Sequence, residues 1–308
     1  MKNYFISRKI IWQHIKLAKR YLIFFFVFWI IVLIPVYLFP IWTIDLDYPF
    51  GICLGAYRYH AGRLGGTHAE LYDILRYFVF STPSLIYFSI VFIFLINKFI
   101  IGEIKSNRIS YWLTTENSRN KVLFSKYLFM LLVVLMLYLP IFIFSTIMAL
   151  LAYDVKIYFW YVFWSEFNFL AAIILFLSLF FLMGVVLANR KNLFDAIYSL
   201  FVIYFVITYV LELLVHVSTL FHDIFWVFKY ISFSGLSQFV LNFDKPIEDQ
   251  LVYIKYVAYN SEPGEYYSYK EVITSAWIVI LVVFTNLSLA CGCVFLALKN
   301  FKNKHIYA

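Results

Sequence analysis

Stretches of about twenty consecutive apolar residues, the length that spans roughly 30 Å of hydrocarbon, recur along this chain. They centre on residues 21–41, 80–101, 124–152, 160–188, 194–217 and 273–298. A backbone in lipid must satisfy its own N–H and C=O groups, so such runs are expected to be helices. Composition removes the soluble alternative: 64% of the 308 residues are hydrophobic and only 14% are charged. Soluble domains run near half apolar and about a quarter charged. The expected class is therefore all-α, a polytopic membrane protein with six transmembrane helices.

Lysine and arginine order the connections. Lys2, Arg8, Lys9, Lys16, Lys19 and Arg20 precede the first run, and Lys98, Lys105, Arg108, Arg119, Lys121 and Lys126 surround the second connection. Arg190 and Lys191 mark the fourth, and Lys299, Lys302 and Lys304 the tail. Alternate connections thus fall on one side, assigned to the cytoplasm. The other side carries Asp45, Asp47, Glu70, Asp73, Asp154 and the acidic stretch from Asp244 to Glu271. A multi-pass protein of the cell membrane with both termini cytoplasmic follows. The first apolar run is too long for a signal-peptide core and has no small-residue cleavage site, so it is read as retained.

Two segments qualify the six-span count. Residues 222–243 are apolar enough for a seventh span, which would put the basic tail outside. A re-entrant hairpin broken near Ser234-Gly235, within an external segment 218–272, avoids that conflict. Residues 1–20 form a second case. Lys2, Lys9 and Lys16 share one helical face, beside a stripe of Ile11, Ile15 and Ala18 with Trp12 next to it. That pattern predicts an amphipathic helix in the cytoplasmic interface, followed by a transmembrane domain over 21–308.

Chemistry-bearing residues are sparse. No phosphate-loop pattern occurs, so the chain is not itself an ATPase or other P-loop enzyme. Cys53, Cys291 and Cys293 have neither disulfide-framework nor zinc spacing, and are read as small buried apolar residues. His60, His68 and Glu70 match no metal motif, so no metal site is expected. The net charge of +8 sits beside the apolar runs rather than in a separate basic surface, which argues against nucleic acid and for lipid headgroups. Ionisable residues inside spans are functional suspects by default. Glu166, Glu212 and His216 qualify as polar contacts, each near the outer end of its run. Glu212 and His216 are four apart and able to pair. Asn97 and Lys98 lie at the inner boundary, as anchors.

The segment joining the second and third runs, IGEIKSNRISYWLTTENSRNKVLFSK from Ile101 to Lys126, is the most specific part of the sequence. Asn107 suits a turn, Ile109, Trp112 and Leu113 form the apolar face of a short helix, and Thr115 is placed as the cap of the next helix, with Glu116 in its first turn. The segment resembles the bacterial type-2 ABC transporter permease family. Members of that family carry a Glu closing the second span, a coupling helix, and a Pro-x-Ser-Arg stretch leading to a Lys. The matches are Glu103, Trp112-Leu113-Thr114-Thr115, Ser118-Arg119 and Lys126. Glu116 stands in place of the usual Pro, and Asn107 lies about where Gly is common.

The resemblance implies a membrane-spanning subunit of an ATP-driven transporter, with an exporter as the expected direction. Two permease subunits, identical or different, would form the pathway. Separate cytoplasmic ATPase subunits would hold the ATP and Mg, leaving this chain without a cofactor or enzymatic activity of its own. The coupling segment, 102–123, would dock on the ATPase through Glu103, Arg108, Trp112, Leu113 and Arg119. The principal rival is a non-transporting membrane scaffold or sensor. An intramembrane enzyme would need convergent polar groups at one depth, and a secondary transporter would need internal repeats with broken helices.

Overall fold

The computed structural model describes residues 6–42, 79–106, 108–109, 118–150, 155–217, 251–254, 266–269 and 276–302. The first span is α1 (Arg8–Trp42). The second is composite: α2 (Thr82–Ile96), a π turn (Asn97–Ile101) and a single closing turn, α3 (Gly102–Lys105). Then follow α4 (Arg119–Leu150), α5 (Val155–Val186), α6 (Lys191–Val217) and α7 (Ala276–Lys302). Six spans are long and apolar enough to cross a membrane. They correspond one for one to the six apolar runs. Between α6 and α7, strands β1 (Leu251–Ile254) and β2 (Tyr266–Tyr269) pair antiparallel, with Leu251 opposite Tyr269. This small ribbon within the acidic segment is the one departure from an all-helical chain among the described residues, and periodicity alone does not mark it. The hairpin expected within 222–243 lies outside the described residues.

The spans fall into two groups. The second, third and fourth are half or more buried within the bundle, whereas α1, α6 and α7 bury about a quarter. The peripheral helices present large apolar side chains outward, among them Phe24, Leu200, Phe284 and Phe295, each more than 60% exposed. Such surfaces suit a bilayer and not water. Inside, Phe88, Phe92, Phe99, Phe129 and Phe181 are fully enclosed. Trp29 of α1 stacks on Tyr87 of α2 with centroids 4.1 Å apart, and the Tyr87 hydroxyl donates to the Phe25 carbonyl at 2.8 Å. Without a hydrophobic force between helices in lipid, this kind of close packing and interhelical hydrogen bonding holds the bundle. Gly184 of α5 marks the tightest crossing: a Cβ there would lie 2.3 Å from Ile96 Cγ2.

The first helix differs from expectation. Among the described residues no break separates an N-terminal helix from the first span: α1 runs continuously from Arg8. Lys and Arg are good helix formers, so charge that ends a hydropathy window does not end a helix. At about 1.5 Å per residue its 35 residues extend some 52 Å, well beyond the hydrocarbon thickness. The buried line of its first turns is Ile10, His14, Ala18 and Leu22, at four-residue spacing. Ile11 and Ile15 are only partly buried, and Trp12 is exposed.

Long-range contacts fix which ends lie together. Ser7 N–H donates to Ser125 Oγ at 2.8 Å, and Arg119 donates to the Lys302 carbonyl at 3.3 Å. Asn97 Nδ2 donates to Asp195 Oδ1 at 3.0 Å. The start of α1, the end of the second span, the start of α4, the turn at 187–190 and the end of α7 therefore share one end of the bundle. These are the basic connections.

Candidate functional site

At that basic end, three helices converge on a buried cluster of ionisable side chains. Glu103 comes from α3, Lys126 from the third turn of α4, and His14 from α1. Lys126 and His14 are fully buried and Glu103 nearly so. Lys126 Nζ donates to Glu103 Oε2 and, at 2.7 Å, to the Phe99 carbonyl. His14 Nε2 approaches Glu103 Oε1 at 3.2 Å, while Nδ1 lies 2.7 Å from the Ile10 carbonyl. Both ring nitrogens thus face oxygen, Nδ1 in hydrogen-bond contact with the backbone and Nε2 beside the carboxylate. The ring packs at 5.1 Å from Phe99 and 5.5 Å from Phe129, measured between centroids. Aromatic walls keep water away and strengthen each electrostatic contact inside.

The π turn positions this cluster. A π turn adds a residue to the helical repeat and recurs at functional sites. Here the Gly102 N–H bonds to Asn97 O, five residues back, and the Phe99 carbonyl of the same turn meets the Lys126 ammonium. Gly102 is required by a close approach: a Cβ would stand 2.9 Å from Asn97 O. Nearby, Lys98 Nζ sits 3.5 Å from the centroid of the Tyr21 ring, a cation–π contact joining the second span to α1. Both residues are therefore tied to neighbouring helices, Asn97 to α6 and Lys98 to α1.

The other residues expected to couple to a partner are scattered or lie outside the described residues. Arg108 is exposed and its neighbour Ile109 is fully buried. Arg119 reaches α7, as above. Trp112 and Leu113 lie outside the described residues, as do Asn107, Thr115 and Glu116. Glu103 and Lys126, which bracket the segment in sequence, are brought into direct contact. His14 belongs to no motif that singles it out. The available signal is its place four residues from both Ile10 and Ala18, on the line the helix buries.

The second carboxylate suspect has a different setting. Glu166 of α5 is buried beside Thr146, whose Oγ1 lies 3.5 Å from both of its carboxylate oxygens. Tyr138 donates to the Glu166 backbone carbonyl at 2.6 Å. Tyr37 and Ser145 exchange a hydrogen bond at 2.6 Å. This hydroxyl-rich group sits near the end of α4 remote from Lys126. Glu212 and His216 occupy the last turns of α6, and their side chains are outside the described residues. Cys291 is exposed on α7 and Cys293 partly so, contrary to a buried role. Among the described residues no group of three or more His, Cys, Asp or Glu side chains is placed to hold a metal ion.

Comparison with protein-family models, with curated proteins and with solved structures found no match to this chain. The described geometry is that of a six-helix, membrane-type bundle with a buried Glu–Lys–His cluster at its basic end.

Proposed function

We propose that this chain is the membrane-spanning subunit of an ATP-driven ABC transporter of the type-2 permease kind, working as an exporter in the cell membrane. On this reading the basic end of the bundle is cytoplasmic and both termini lie there. The first turns of α1 lie at the membrane interface. A second permease subunit completes the pathway, and a separate ATPase subunit carries ATP and Mg.

The observation that supports it most is the clamp formed by Glu103, Lys126 and His14. The segment meant to dock on the ATPase lies in sequence between α3, which carries Glu103, and α4, which carries Lys126. An ion pair closes that loop at its root, and His14 ties the root to α1. A push delivered to the loop then moves α1, the second span and α4 together. Coupling of this kind needs a physically continuous element that two sites bias, and a clamped loop supplies the mechanical part. The gathering of the basic connections at the same end agrees with the positive-inside pattern.

The test is co-purification of tagged protein in mild detergent, followed by an ATPase assay, comparing the natural chain with Trp112→Ala/Leu113→Ala. An ATPase that co-purifies and is released or uncoupled by the double change upholds the proposal. Folded protein that retains no ATP-binding partner favours the scaffold or sensor instead.

A further inference from the structure

The two buried carboxylates at opposite ends of α4 are neutralised differently. Glu103 has an ammonium and an imidazole against it. Glu166 has, among the described residues, no cationic side chain within ion-pair distance. Its carboxylate is met by one hydroxyl at 3.5 Å, at the outer limit of a hydrogen bond. A carboxylate in that position retains unused acceptor capacity in a setting where desolvation is expensive.

An apolar groove of about 230 Å³ leads to it between α4 and α5. Leu135, Leu139 and Phe142 form one wall, Phe167 and Leu170 the other, and Glu166 lies among the lining residues. The groove opens outward from the bundle, since Leu135, Leu139 and Phe167 are 41%, 52% and 39% exposed. Phe142 and Phe167 meet edge to face across it, with centroids 6.4 Å apart. Aromatic faces attract cations as well as alkyl chains.

We infer that this groove is a binding site, entered from the bilayer side, for a single-chain lipophilic ammonium ion whose head pairs with Glu166. Charge complementarity selects a cation, and the aliphatic and aromatic walls select an apolar body. The volume lies somewhat below the roughly 300–1,000 Å³ usual for drug-sized ligands, which favours one chain over a bulky multi-ring cation. The site stands whether or not the chain belongs to a transporter.

The experiment uses the purified full chain in dodecylmaltoside micelles, with radiolabelled decyltrimethylammonium as the probe and protein-free micelles as the blank. Saturable binding is expected. It should weaken about tenfold or more in Glu166→Gln, the loss of one charge-assisted contact. It should weaken likewise in Leu139→Trp, which fills the groove from a half-exposed position, and it should resist an equal concentration of uncharged 1-decanol. Absence of saturable binding overturns the inference, as does unchanged affinity in Glu166→Gln or equal displacement by 1-decanol. Should Glu166→Gln fail to fold, Leu139→Trp together with the decanol competition decides: unchanged binding or full displacement overturns the site, and lost binding without displacement upholds it.

Discussion

The ammonium of Lys126 donates to the Phe99 carbonyl at 2.7 Å while also bonding the Glu103 carboxylate, so one side chain of α4 grips both a π turn and the acid that follows it. Both partners are shielded from water, and a buried ion pair is costly to leave half made.

Lys126→Met strands Glu103 as an uncompensated buried charge beside His14. The expected loss of stability is about 3–5 kcal/mol, the usual cost of breaking a buried pair from one side. Adding Glu103→Leu removes the stranded charge and should restore most of the loss. Denaturant or thermal unfolding in micelles measures both. A double variant no more stable than Lys126→Met argues that the cluster is not a mutually neutralising unit.

Gly102→Ala reverses an ordinary rule. In a helix interior, Ala is normally better than Gly by roughly 0.5–1 kcal/mol. Here its Cβ would stand 2.9 Å from Asn97 O. The backbone must shift, at a cost of about 1–3 kcal/mol by analogy with overpacking. A lower unfolding temperature is expected, and a rise would contradict the close approach.

Gly184→Ala meets Ile96 Cγ2 at 2.3 Å, on a β-branched side chain with little rotamer freedom. The single change should destabilise by about 1–3 kcal/mol. Gly184→Ala in an Ile96→Ala background should cost much less, because the obstructing methyl is gone. A double-mutant cycle with no coupling between the two positions would contradict the crossing.

Tyr21→Leu removes the ring under Lys98, whereas Tyr21→Phe keeps it. The former should cost about 0.5–1 kcal/mol, the usual size of a cation–π contact at a partly exposed site, and the latter less. Equal effects would assign the contact to packing alone.

The six spans are legible in the sequence because length and hydropathy alone specify a helix in lipid, whereas Glu103 and Lys126 stand out only through the resemblance of the segment they bracket. The start of α1 is less legible, for a physical reason. Hydropathy registers the charges of Lys19 and Arg20 as a boundary, while the backbone registers only good helix formers and continues. The same boundary conceals His14, whose burial depends on the angle α1 takes against α4 and not on its neighbours in sequence. Hydropathy puts Glu166 near an outer end, yet nothing local predicts that Thr146, Tyr138 and the Tyr37–Ser145 pair gather around it, since those residues meet only through tertiary packing. The π turn leaves a single trace, Gly102, and glycine near a helix end is too common to signal a π turn by itself.

That turn has a consequence for the chain's length. An α-helix advances about 100° per residue, and the π turn accommodates an extra residue within Asn97–Ile101. Losing one residue from this stretch would relax it to α-helix and leave Glu103 near its present azimuth. Losing one from the regular helix α2 instead would swing Glu103 about a quarter turn away from Lys126. The number of residues in the second span, and not their hydrophobicity alone, is what aims the basic end of this protein.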